Sequence, residues 1–285
     1  MPTAYKVRVR VTRQAICALQ ATNTGTAVPS AELSRRKPVD PTQKSPDQVR
    51  SSHGKPVAFV AAWLVHLYTA TGAAIAMLTV MALWQGDTVR ALWLGLAAMV
   101  VDGTDGMLAR HLQVKLWIPW FDGALLDNIV DYLTYVFTPM ILLWSTGYLG
   151  DGVTATILAV MPLLASAYQF CRLDAKTADH LFLGFPSYWN VVAFYVIVLD
   201  LGPAGVAVLL TVCAALVFLP VGYVYPSRTD TLRGLTLALT TVWLVSYAVL
   251  LSQMPSVDRV WLTISLAYVV YYVALSLHLT ARRAA

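Results

Sequence analysis

The chain has 285 residues, 58% of them apolar and only 12% charged. That is about half the charge of an average soluble domain, too little polar surface to cover a soluble globule. Three cysteines exclude a disulfide framework, and the composition points to an all-α, polytopic membrane helical bundle.

Residues 1–55 carry ten basic and three acidic side chains, a net +7, while the remaining 230 carry ten basic and twelve acidic, a net −2. The first segment lacks a long apolar run and is rich in Thr, Ser, Pro and Ala. It reads as a disordered, basic tail with no cleavable signal peptide, and residues 56–285 read as the membrane domain.

About 20 apolar residues cross the hydrocarbon as a helix. Eight segments qualify: Val57–Trp84, Val89–Ala109, Gly123–Trp144, Val153–Phe170, Ser187–Leu199, Gly202–Tyr223, Leu232–Leu251 and Val260–Leu279. The fifth is short, so the count ranges from six to eight. Eight spans with a cytosolic N-terminus put 18 of the 20 basic residues on the cytosolic side and leave Arg90 and Arg259 opposite. Cytoplasmic loops carry just such an excess.

The second and third segments each carry two aspartates near the same end. Asp102 and Asp105 are spaced i, i+3. Gly123, Asp127 and Asp131 form a stripe spaced by four. The short connection predicts antiparallel neighbouring helices, and small residues along the stripes allow close approach. Four carboxylates at a membrane edge are costly and repel one another, so the pattern asks for protons or a divalent cation. All-oxygen ligands suit Mg²⁺ or Mn²⁺, and four carboxylates suffice for two ions. Tyr135 lies i+4 from Asp131 on the same stripe. The charged stretch 171–186 reads as a solvated connector, with gating of the site as the other reading.

The run Asp102-Gly-x-x-Asp105-Gly106-x-x-Ala109-Arg110, a spacer, then Gly123-x-x-x-Asp127-x-x-x-Asp131 resembles the signature of the CDP-alcohol phosphatidyltransferases. The twelve-residue spacer 111–122 is longer than the commonest form. Segments 66–69 with Gly72, 122–135 and 169–195 are most similar to the bacterial, choline-using branch, so the likeness covers roughly 57–285.

The resemblance implies that choline attacks the lipid-bearing phosphorus of CDP-diacylglycerol, giving phosphatidylcholine and CMP. It implies Asp102, Asp105 and Asp127 as metal ligands and Asp131 as ligand or general base. Asp105, Gly106, Ala109, Arg110 and Gly123 would bind CDP, and Mn²⁺ or Mg²⁺, as two ions, would be required. The choline that the resemblance implies is a quaternary ammonium held by aromatic faces, for which Tyr135 is the best-placed candidate and Tyr68, Tyr188 and Trp189 are further ones. It further implies a bacterial inner-membrane location with the site at the cytosolic face, membrane lipids as partners, a homodimer and no nucleic acid. A same-family transferase for serine, inositol or glycerol phosphate is the nearest alternative, and a cation-coupled transporter a more distant one.

Overall fold

The computed structural model describes residues 55–177 and 179–284; the tail expected at 1–55 lies outside them, apart from its last residue. Helix α1 (Lys55–Trp84) turns at Gly86, whose φ is +76°, into α2 (Thr88–His111), capped by the Asp87 side chain accepting from Arg90 N. A short turn, α3 (Val114–Trp117), occupies the spacer. Next come α4 (Gly123–Asp131), a π-helical turn (Tyr132–Phe137) and α5 (Thr138–Ser145), one unbroken helical run. After α6 (Gly152–Cys171), strand β1 (Leu181–Leu183) leads to α7 (Trp189–Val198) and α8 (Pro203–Val217). Strand β2 (Gly222–Val224), α9 (Arg233–Gln253) and α10 (Arg259–Ala284) complete the chain.

Among the described residues, five helices are long and apolar enough to cross a membrane: α1, α2, α6, α9 and α10. Their apolar side chains largely face outward, with Leu67, Leu164 and Val270 each more than 60% exposed. A soluble protein cannot sustain such a surface, and this chain is a multi-pass membrane protein. The expected span Gly202–Tyr223 is shorter than predicted. Its helix stops at Val217, and Gly222–Val224 instead pairs antiparallel with Leu181–Leu183. Apolar composition hid that change, because a buried strand and a buried helix end look alike in a short window. The ten residues of α7 reach about 15 Å, half the hydrocarbon thickness. That helix is wrapped by protein, with Trp189, Ala193, Phe194 and Val196 fully buried.

Polar contacts between membrane helices add to apolar packing. Trp243 Nε1 donates to the Tyr195 hydroxyl at 2.9 Å, and that hydroxyl meets Ser265 Oγ at 2.6 Å, joining α7, α9 and α10. Phe194 stacks on Tyr247 with centroids 3.6 Å apart.

The π turn has a local cause. Pro139 has no N–H for the Tyr135 carbonyl, and its ring crowds that carbonyl, so the helix widens just before it. The side chains of α2 and α4 meet, as the short connection predicts, and helix α1 packs along both. The spacer is folded: Val114 and Ile118 are buried against Ala62 and Val65 of α1.

Gly72 sets how closely α1 fits. A Cβ there would lie 2.4 Å from Val130 Cγ1 of α4, whereas one at Gly95 meets nothing within 4 Å. Gly72→Val should therefore cost about 1–3 kcal/mol through overpacking. Thermal unfolding in detergent should show a lowered midpoint for Gly72→Val, with Gly95→Val close to wild type.

Candidate active site

The α4 run starts where Asp122 caps it, its Oδ1 accepting from Ala124 N at 3.1 Å and Leu125 N at 3.0 Å. That start fixes the phase of the helix, so Asp127 and Asp131 face the wedge of space beside α2. One carboxylate oxygen from each of Asp102, Asp127 and Asp131 lies within 4.8 Å of the other two. Two ionised carboxylates at that spacing repel by roughly 3–4 kcal/mol at an effective dielectric of 20, and three pairs compound it.

The donor set fits a hard divalent cation. Oxygens around such an ion at 2.0–2.1 Å stand up to about 4.2 Å apart, so small side-chain rotations close the triad on one ion. The residues that would hold it are Asp102, Asp127 and Asp131. Asp105, the fourth aspartate, is turned elsewhere: it is buried, and its Oδ2 accepts from Thr69 Oγ1 of α1 at 2.7 Å.

Tyr135 stands in the π turn and donates its hydroxyl to Asp102 Oδ2 at 2.6 Å, linking the two motif halves. Its ring lies 6.1 Å from that of Tyr188, which lies 6.3 Å from Tyr272 of α10. Tyr272 is held by donation to the Val224 carbonyl of β2 at 3.0 Å. Three neighbouring tyrosine rings from three parts of the chain thus lead away from the Asp102 carboxylate.

Other expected site residues divide. Gly106 leaves room for Arg110, whose Nη1 lies 3.2 Å from where a Cβ at 106 would be. Ala109 packs against the Ala62–Ile118 cluster, and Gly123 is pressed against the His66 ring. Tyr68 is engaged with Thr104, hydroxyl to Oγ1 at 2.8 Å. Trp189 is not available to a ligand. It is fully buried against Phe185, and its Nε1 donates to Ser166 Oγ at 2.7 Å.

The stretch after α6 is structured rather than a loose connector. Lys176 bridges Phe182, Leu183 N donates to the Ala175 carbonyl, and β1 continues onto β2. Arg283 of α10 donates to Asp179 at 2.6 Å, and Arg172 makes a two-pronged contact with Asp174. Hydrogen bonds, from Thr177 to Asp179 and from Arg172 to Asp174, hold both carboxyls below the usual range. Their contribution is complete above about pH 4 and fades on acidification through those lowered values. Among the described residues, Lys176, with its ammonium 5.7 Å from the Phe182 ring centroid, is a cation within electrostatic reach of Asp102, Asp127 and Asp131.

Four contributors escape a reading by motif. Thr69 and His66 sit on α1, outside the aspartate stripes. Lys176 lies in a non-periodic stretch, and Tyr272 lies in a tyrosine-rich helix that composition assigns to the membrane interface. Only the likeness of segments 66–69 and 169–195 to a known branch marked two of these regions.

No family model matches the chain. Curated proteins do. It is 42% identical over 229 residues to a phosphatidylcholine synthase of Legionella pneumophila, covering 78% of this chain and 89% of that protein. It is 39% identical over 228 residues to one from Pseudomonas aeruginosa, covering 80% and 95%. A third, from Borreliella burgdorferi, is 34% identical over 228 residues, covering 79% and 97%.

The triad can be tested by binding alone. Purified protein should bind Mn²⁺, read by the loss of its free-ion electron paramagnetic resonance signal. Asp127→Asn and Asp131→Asn should each weaken that binding at least tenfold, and Tyr135→Phe about tenfold through loss of ligand orientation. Asp174→Asn should leave it unchanged.

Proposed function

This chain belongs to the phosphatidylcholine synthase family, and from that premise we propose that it condenses CDP-diacylglycerol with choline to give phosphatidylcholine and CMP. The choline hydroxyl oxygen bonds to the phosphorus bearing the diacylglycerol. The bond from that phosphorus to the bridging oxygen breaks, and CMP leaves with the electron pair. A divalent ion, Mn²⁺ or Mg²⁺, held by Asp102, Asp127 and Asp131 would neutralise the pyrophosphate and stabilise the leaving phosphate. A second ion would draw on Asp105.

The chain's own groups do the rest. Asp131 takes the proton of the choline hydroxyl, a role worth about 10²–10⁴ in rate. Arg110 and Lys176 offset phosphate charge. The faces of Tyr135 and Tyr188, with the Asp102 carboxylate beside them, hold the trimethylammonium group, which cannot donate a conventional hydrogen bond. Tyr272 extends that aromatic wall. Thr69 keeps Asp105 oriented. The site lies at the cytosolic face of the bacterial inner membrane, a placement supported by the 18-to-2 distribution of basic residues.

The observation that carries this reading is the meeting of three carboxylates beside a pair of neighbouring tyrosine rings, in a chain of this family. A phosphorylated acceptor would call for basic side chains where the tyrosines stand, so choline is favoured over glycerol phosphate or inositol phosphate.

Membranes carrying the protein, given CDP-diacylglycerol, Mn²⁺ and labelled choline, should form labelled phosphatidylcholine and CMP one for one. Chelation by EDTA should abolish the reaction, and Asp131→Asn should lower kcat by at least 10²-fold. Tyr188→Leu should raise KM for choline several-fold with KM for CDP-diacylglycerol unchanged. Incorporation of serine in place of choline would overturn the acceptor assignment.

A further inference from the structure

A groove of about 650 Å³ runs between α6 and α8. Ile157 and Leu164 line it from α6, and Ala215 and Phe218 line it from the other side. Two of its side chains are polar, and both are spent on their own helices. Thr156 Oγ1 donates to the Gly152 carbonyl, and Thr211 Oγ1 donates to the Ala207 carbonyl. The groove therefore offers an apolar wall throughout. It lies on a different face of α6 from the one that serves the site. The Leu163 carbonyl accepts from Tyr132 of the π turn, and Phe170 packs edge-on against the same ring. Leu164 and Tyr168 point round the helix from these, 68% and 47% exposed.

One end of the groove is charged. Phe218 lies 5.1 Å from the ring of Tyr168, and the Arg172 guanidinium lies 5.6 Å from the Tyr168 ring centroid. Arg172 donates from Nε and Nη2 to Asp174, both at 2.7 Å, yet the Asp174 side chain stays 68% exposed. Between the two charges Leu173 is fully exposed. An exposed leucine beside exposed aromatic rings suits a lipid boundary better than open water. From Ile157 to Tyr168 the helix rises about 16 Å, close to half the hydrocarbon thickness. Apolar wall, aromatic rings and then charge is the order met in crossing one leaflet from its middle to its surface.

From that order we propose that the α6–α8 groove binds a phospholipid of the surrounding membrane whose head group is zwitterionic. An acyl chain lies in the groove, the phosphate meets Arg172, and the ammonium meets Asp174. The guanidinium has N–H groups beyond those given to Asp174, and they can donate to phosphate oxygens. The exposed Asp174 carboxylate then faces the ammonium, which an ethylene link holds near the phosphate. An anionic head group would set its phosphate beside Asp174 with no positive charge of its own to offset that carboxylate. The charge pair thus selects the zwitterion. This lipid takes no part in the reaction, and its site stands whichever alcohol the carboxylates serve.

The probe is a phosphatidylcholine with a diazirine in its acyl chain, irradiated with full-length protein in lipid nanodiscs and mapped by peptide mass spectrometry. Label should concentrate on 157–168 and 211–218. It should be strong in phosphatidylglycerol nanodiscs and fall in phosphatidylethanolamine nanodiscs, where the host lipid competes. Ala215→Trp and Leu164→Trp fill the groove from opposite walls, and each should lower that labelling about tenfold. Asp174→Asn should reduce the difference between the two hosts by about twofold to fivefold. Label spread evenly over the outward faces of α1, α2, α6, α9 and α10 overturns the proposal, as does equal labelling in both hosts. Ready disulfide formation between copies carrying Leu164→Cys would put a second copy in the groove and overturn it as well.

Discussion

Mutual repulsion among Asp102, Asp127 and Asp131 is the constraint around which this chain is organised. Three acidic groups within 4.8 Å at a membrane edge are not stable by themselves. The chain surrounds them with devices that fix their positions. The Asp122 cap sets the phase of α4, and Tyr135 reaches from the π turn to hold Asp102. Lys176 is carried toward the cluster on a braced strand pair. Each device restrains a carboxylate or supplies nearby positive charge, and none pairs it off completely. The site remains acidic, and its three carboxylates could hold a metal ion.

Helix α1 is the element that makes the cluster possible. It carries no aspartate, yet it lies against both halves of the motif, with Thr69 on Asp105, His66 on Gly123 and Gly72 on Val130. Packed against both, α1 supports the place where Asp102 of α2 meets Asp127 and Asp131 of α4. The folded spacer, buried against Ala62 and Val65, packs on the same helix. Its extra length is thereby used for packing.

Composition disclosed the membrane class, and helical spacing disclosed the aspartate stripes. A 3.6-residue repeat is a local property, and it survives without knowledge of neighbours. Residues defined by long-range geometry were less legible. The exclusion of Trp189 depends on Ser166, 23 positions away, and the end of α8 depends on a strand partner near residue 182. Tyr272 enters through a contact with β2 that no helical pattern encodes. The turn of Asp105 toward Thr69 instead of the triad follows from contact with α1, which the short α2–α4 connection does not encode.

The account rests on a divalent ion at the meeting point of α2 and α4, and anomalous scattering from crystals grown with Mn²⁺ tests it most directly. The predicted result is a strong anomalous peak with an oxygen each from Asp102, Asp127 and Asp131 at about 2.1–2.4 Å. Carboxylates paired with one another through shared protons, with Mn²⁺ bound elsewhere or not at all, would contradict it.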